Sequence, residues 1–229
     1  MRPALPSLPE RRSMRVVLAA VVVAIVALVL GVVAWFTPAM AVRTVEVSGL
    51  DRVSEAEGVS ALGVDKGTPL LQVDTAAAAH RVAGIGRVSS VSVHRSFPST
   101  IRVDVTERVP VAFSDTGGGP HLLDADGVDF AAEPPPPGVP QITVPDLADT
   151  ELVRSVLGVV AGMPPQLRDQ VTAITVESPS DIAFEVGDGR TLRWGDVERS
   201  ELKAQVALAV LQQSGQTVDV SSPNLPTTE

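Results

Sequence analysis

The chain has no cysteine and no tyrosine, and its 229 residues include only three histidines, two tryptophans and five phenylalanines. Without cysteine there is no thiol nucleophile, no thiolate-held metal and no disulfide. Few aromatic side chains leave few surfaces on which nucleic-acid bases stack. The histidines are scattered: His80, His94 and His121 fall in a predicted helix, a strand and a loop. None has a partner at the i, i+4 spacing that puts two imidazoles on one helix face. Each reads as a surface residue. Also absent are a Gly-x-Ser-x-Gly elbow, a His-Glu-x-x-His helix and a phosphate loop. The Gly117-Gly118-Gly119 triplet lacks the Lys-Ser/Thr that would follow it in such a loop. Asp124, Asp126 and Asp129 miss the calcium-loop spacing, because Val128 stands where an oxygen ligand is required. They read as turn residues. No catalytic, cofactor-binding or metal-binding residue is assigned, and no enzymatic activity is expected.

Charge is unevenly spread. Arg2, Arg11, Arg12 and Arg15 against Glu10 give the first fifteen residues a net of +3, which leaves −12 for the rest of a chain whose total is −9. An acidic domain repels phosphate backbones, so nucleic acid is not an expected partner. Between the two regions lies Val16 to Phe36, centred on Val26, with no charged residue. Twenty-one residues at about 1.5 Å each make roughly 31 Å of helix, the thickness of a hydrocarbon layer. In lipid the backbone must satisfy its own hydrogen bonds, so a valine-rich run becomes helical there despite its poor propensity in water. Trp35 suits the interface at the far end, and the arginines on the near side place that side in the cytoplasm. The reading is a cytoplasmic tail (1–15), one transmembrane helix in contact with membrane lipid (16–36), and an extracytoplasmic remainder, a single-pass protein of the plasma membrane. A cleaved signal peptide is the rival, since Ala39-Met40-Ala41 has the small-x-small form of a cleavage site. Its apolar region runs about 7–15 residues, shorter than this one.

Beyond Arg43 the pattern is that of an α+β protein. Val45 and Val47 alternate with polar neighbours as a strand ending at Gly49. Ser54 with Glu57 three residues on is a capping-box signature, opening a helix that Gly63 ends. Lys66 to Pro69 is a turn. Asp74 caps a second helix that runs to about Ala83 and stops at Gly84. Val91 and Val93, then Ile101, Val103 and Val105, form two strands joined by Phe97-Pro98-Ser99. The order β-α-α-β-β puts both helices on one face of a three-stranded sheet. A β-rich mixed domain follows. Val109 to Ser114 is strand, Leu122 to Gly127 a strand with an Asp-Gly turn, and Pro134 to Pro137 a stiff spacer. Asp149-Thr150 starts a helix ending near Gly162, with Val153, Val156, Leu157 and Val160 at helical spacing. Strands are expected at Val171–Glu177, Ile182–Val186 and Arg190–Trp194, the last two joined through Gly187-Asp188-Gly189. Asp196 is expected to open a last helix, with Leu202, Val206, Ala209 and Val210 inward, ending at Gly215. A final strand, Thr217 to Ser221, precedes a frayed tail.

The run from Val91 to Ala112, VSVHRSFPSTIRVDVTERVPVA, resembles the end of the POTRA module in the bacterial cell-division family FtsQ, called DivIB in Gram-positive bacteria. Val45 to Gly49 is similar to that module's opening strand and Gly67 to Leu70 to its inter-helix turn. Leu123 to Gly127, Trp194-Gly195-Asp196 with Lys203, and Thr217 to Ser221 resemble the family's β domain. High Ala, Val and Arg with only two lysines points, on composition, to an actinobacterial relative. The resemblance implies a POTRA domain over 42–110 and an FtsQ-type β domain over 111–222, and the Pro-rich, polar residues 223–229 read as a disordered tail. The resemblance also implies a non-enzymatic scaffold without cofactors at the division septum. Such a scaffold joins FtsB-type (DivIC-type) and FtsL-type coiled-coil membrane partners and regulates septal peptidoglycan synthesis, with the POTRA unit meeting other division proteins. The FtsB contact of the family lies on the strand after the last helix, so Thr217, Val218, Asp219, Val220 and Ser221 are the candidate partner site. Nothing after that strand is expected to cover its outer edge, and an open edge invites a partner strand. Two rival functions are a membrane-anchored cell-wall enzyme, which lacks its motifs here, and a POTRA-bearing export or assembly receptor. The receptor would need more barrel strands than the remaining residues supply.

Overall fold

The computed structural model describes residues 10–36, 40–115, 117–187 and 189–229. The basic tail as far as residue 9, Ala39, Asp188 and the side chains of Trp35 and Phe36 lie outside the described residues. Helix α1 (Glu10–Phe36) passes through Val16 and Val26, and its described side chains from Val16 to Val29 are all exposed. Among the described residues no helix is long and apolar enough to cross a membrane. The expected span from Val16 to Phe36 is therefore not shown. The rest divides into two compact units, with the division between Glu107 and Arg108.

The first unit contains β1 (Thr44–Ser48), α2 (Glu55–Leu62), α3 (Thr75–Ala83), β2 (Val88–Ser96) and β3 (Thr100–Glu107). Its sheet runs β1-β3-β2, with β1 parallel and β2 antiparallel to β3. Both flanking strands put valines opposite β3: Val47 and Val93 each face Val103. These side chains meet Leu62, Leu70, Ala78 and Val82 in a core of their own. The caps are those expected. Ser54 accepts from the Glu57 N–H at 3.2 Å, Gly63 takes the left-handed turn at φ 60°, and Asp74 accepts from the Ala77 N–H at 2.9 Å. Gly84, by contrast, is right-handed, so α3 stops without a left-handed cap. At Gly49 (φ 81°) a Cβ would lie 1.9 Å from the Val105 carbonyl oxygen, so only glycine lets the chain leave β1 this close to β3.

The second unit carries one nine-stranded sheet. Its strands are β4 (Ala112–Asp115), β5 (Pro120–Leu123), β6 (Asp129–Ala132), β7 (Gln141–Thr143), β8 (Val171–Ser178), β9 (Asp181–Val186), β10 (Arg190–Gly195), β11 (Thr217–Asp219) and β12 (Thr227–Thr228). The spatial order is β12-β11-β10-β9-β8-β7-β4-β5-β6. Helices α4 (Thr150–Gly162), α5 (Pro165–Arg168) and α6 (Ser200–Val210) supply Val156, Leu157, Leu167, Ala204 and Ala207 to its core. Helix α4 is the amphipathic helix expected, capped by Asp149 at 3.1 Å from the Leu152 N–H. Strand β7 and helix α5 are too short to leave a periodic signal, and neither was expected.

Helix α6 departs from expectation. It starts at Ser200, four residues beyond Asp196, and its ordered turns end at Val210 rather than Gly215. The inward face also differs from the one expected. Lys203, Ala204, Ala207 and Val210 are buried, whereas Leu202 and Ala209 are exposed and Val206 is only partly covered. The cause is the Lys203 ammonium, which turns inward to donate to the Asp196 carbonyl at 2.9 Å and to its carboxylate at 2.6 Å.

Candidate functional site

The geometry of β11 follows from its place in the sheet. It lies parallel to β10, with Thr191 opposite Thr217, Leu192 opposite Val218 and Arg193 opposite Asp219. Val218 and Val220 are fully buried, Thr217 and Asp219 half-buried, and Ser221 exposed. Alternate residues of a strand send their backbone groups to opposite sides. The Val220 N–H accordingly points inward and donates to the Arg193 carbonyl at 2.9 Å. The Thr217 N–H and carbonyl point outward, away from β10. Asp219, two residues on, shares that outward direction. The five residues expected to form a partner site thus divide: two valines anchor the strand, and the backbone of Thr217 and Asp219 makes its outer edge.

That edge is occupied. Strand β12 runs antiparallel along it, with Thr228 opposite Val218 and Thr227 opposite Asp219. Thr217 donates to the Glu229 carbonyl at 3.0 Å and Glu229 donates back to the Thr217 carbonyl at 2.9 Å, while the Gln216 N–H reaches the same Glu229 carbonyl at 2.6 Å. The expectation of a frayed tail and an uncovered edge is corrected here. Pro223 and Pro226 read as breakers, but Pro223 is buried and turns the chain back, and Thr227-Thr228 carries the β-branched propensity that suits a strand. That threonine pair was the overlooked signal. The cover is thin: two ladder residues, with Leu225 79% exposed and Thr227 also exposed.

The support beneath the edge is firm. Trp194 on β10 has no exposed surface, meets Phe184 edge-on at 5.3 Å and donates its indole N–H to the Ser200 hydroxyl at 3.1 Å. The buried Lys203 ties α6 to the loop at Asp196. The hydrogen bond from Lys203 holds the Asp196 carboxyl below its ordinary pKa, against a smaller opposing effect of burial and with help from the Glu198 N–H. Trp194, Asp196 and Lys203 are therefore packing and anchoring residues.

The residues set aside as turn or surface residues behave so. Asp124 is buried, pairs with Arg108 and accepts the N–H groups of Asp126 and Val128, each at 2.9 Å. His121 pairs with Asp129 at 2.8 Å beside a hollow also lined by Ser114, which sits opposite His121 across the β4–β5 pair. No hydrogen bond joins the Ser114 hydroxyl to His121, and both His121 and Asp129 lie at the surface. A second hollow, between α4 and α6, has Glu201 as its one titratable lining residue. Among the described residues no group of three or more metal-ligating side chains gathers. The described residues give no positive sign of catalysis.

Residues 40–108 match the family model "POTRA domain, FtsQ-type" and residues 112–221 match "Cell division protein FtsQ/DivIB, C-terminal". A POTRA unit followed by this second domain defines a class of cell-division protein. The cell division protein FtsQ of Mycobacteroides abscessus is 46% identical over 217 residues, which cover 94% of this chain and 70% of that one. That of Corynebacterium glutamicum is 35% identical over 209 residues, covering 90% and 94%. The chain belongs to the FtsQ family of actinobacterial cell-division proteins. The match to the second domain stops at residue 221, so β12 lies beyond it. A solved structure, the major extracytoplasmic domain of the trans isomer of DivIB from Geobacillus stearothermophilus, is 13% identical with a TM-score of 0.37, covering 48% of this chain and 98% of that one.

Proposed function

We propose that this FtsQ-family chain is a single-pass scaffold of the division septum. In this reading residues 1–15 are cytoplasmic, Val16 to Phe36 spans the plasma membrane and the two compact units stand outside. The scaffold binds FtsB-type (DivIC-type) and FtsL-type membrane partners and links early to late division components, regulating septal peptidoglycan synthesis. The edge of β11, Thr217 to Ser221, receives a strand of the FtsB-type partner by β-augmentation. Free edges of β1 or β2 in the POTRA unit take other division proteins.

The observation that carries the docking reading is the outward N–H and carbonyl of Thr217 on a strand that Val218 and Val220 hold rigidly in the core. The membrane reading is supported by exposed apolar side chains along 16–29, which meet no protein core. Proline at Val218 or Val220 would strike the β10 side of the strand, so the informative substitution is Asp219→Pro, which removes an outward donor. It is expected to abolish co-purification of an FtsB-type partner with the full chain while Trp194 fluorescence stays native. Undiminished co-purification would remove β11 as the docking strand. External protease on intact cells should cleave the second unit if the topology is as stated.

A further inference from the structure

The strand that seats on β11 is this chain's own. Residues 225–229 cover the outward groups of Thr217 and Asp219 with backbone bonds, while their side chains stay largely in solvent. β11 does not depend on this cover, since Val218, Val220 and the pairing to β10 hold it. The register also defines what the seat prefers. Thr217 and Glu229 exchange both backbone bonds, so the next pair along, Val218 with Thr228, is a non-hydrogen-bonded pair, whose side chains approach most closely. Val218 has no exposed surface, and the position opposite it holds a half-buried threonine. An apolar β-branched side chain there would extend the core by one residue; threonine carries a hydroxyl in place of one of valine's two methyl groups.

We propose that β12 is a displaceable placeholder. An extended segment running antiparallel to β11, with Val or Ile in the register of Thr228, takes its place by strand exchange. This rests on the reading of β11 as a docking edge and adds its regulation: docking competes with the chain's own residues 225–229. The segment's specificity lies in one apolar residue facing Val218, flanked by residues whose N–H and carbonyl meet Thr217 and Asp219.

The absence of cysteine allows a reversible lock. Val218→Cys with Thr228→Cys joins a non-hydrogen-bonded pair, a spacing suited to a disulfide, and closes β12 onto β11 in the full chain. The probe is a labelled peptide of residues 222–229 carrying Val in place of Thr228. Fluorescence anisotropy is expected to show at least tenfold tighter binding to the reduced than to the oxidised double variant. It should also be several-fold tighter to a full chain with Glu229→Pro, which loses the donor to the Thr217 carbonyl, than to the unaltered chain. A peptide with Thr at that position should bind several-fold less well. Equal binding to the oxidised and reduced forms, or no binding to any form at millimolar peptide, overturns strand exchange. The same oxidised and reduced chains, offered to the FtsB-type partner, separate the two claims. Partner binding that needs Asp219 and is blocked by the lock, but gains nothing from Glu229→Pro, leaves the docking edge standing and removes the competition by β12. Partner binding that ignores Asp219 removes the docking edge, while the peptide result stands by itself.

Discussion

In residues 40–107 charged side chains tie down the loose backbone. The Glu107 carboxylate accepts N–H groups of Asp51, Arg52 and Val53 at 2.9–3.1 Å. Arg81 donates to the Leu62 carbonyl at 2.7 Å, and Arg95 donates to those of Leu70 and Val73 at 3.1 and 2.7 Å. At the margin of the nine-stranded sheet, β12 has backbone bonds and little else. Hydrogen bonds to a charged group contribute about 1.5–3 kcal/mol, those between neutral backbone groups about 0.5–1.5. Ordering each backbone residue costs about 1–2 kcal/mol, so a two-residue strand without apolar burial is close to balance. The contrast sets a unit tied by hydrogen bonds to charged groups against a margin held by backbone bonds.

The contrast breaks most visibly if the floor under the margin is removed. Trp194→Ala empties a site with no exposed surface, beside Phe184 and Ser200. A loss of about 3–5 kcal/mol is expected, read as a lower urea midpoint for the large-sheet unit; a loss under about 1 kcal/mol would mean that the margin is not supported from below. Next in size is Glu107→Ala, which removes the acceptor of three N–H groups in the first unit, that of buried Val53 and those of exposed Asp51 and Arg52, at an expected cost of about 1–3 kcal/mol. Burial raises the Glu107 pKa, but the bonds from Val53, Asp51 and Arg52, with the charge of Arg87, outweigh it and leave the group below its ordinary value of 4.5. A depressed carboxyl stabilises the fold above its unfolded pKa, and that contribution fades as pH falls through the folded value. Below pH 4.5 the unaltered first unit should therefore weaken towards the variant. A stability gap that stays constant from pH 7 to pH 3 would refute the role given to its charge.

The first unit was legible almost to the residue because each of its signals is local. Ser54, Gly63 and Asp74 act within four positions of themselves, and the alternation at Val91–Val93 and Ile101–Val105 declares a buried face directly. The candidate edge was half legible. The strand at Thr217 follows from its β-branched pattern, but what lies beside it depends on a turn at Pro223 that only tertiary packing selects. Lys203 misled for a related reason. A charged residue predicts an outward face, and nothing in the sequence alone says that the Asp196 carbonyl and carboxylate wait inside to receive it. The inward face of α6 was consequently read one position out of phase.

The smallest expected effect sharpens the comparison at one side chain. Thr228→Val replaces a hydroxyl by a methyl opposite the buried Val218. One methyl-sized burial contributes up to about 0.8 kcal/mol when complete, and Thr228 is half-buried, so the unfolding midpoint should rise only marginally. The local effect is larger in proportion. If β12 opens independently of the core, that same increment acts on a strand near balance and slows its opening rather than global unfolding. Hydrogen exchange at the Thr217 and Glu229 amides should slow by two- to fourfold, while exchange at Leu192 on β10 stays unchanged. Equal slowing at all three would mean that β12 opens only with the whole unit. In that case the margin and the core are one cooperative body, and the distinction between a tied unit and a releasable edge falls.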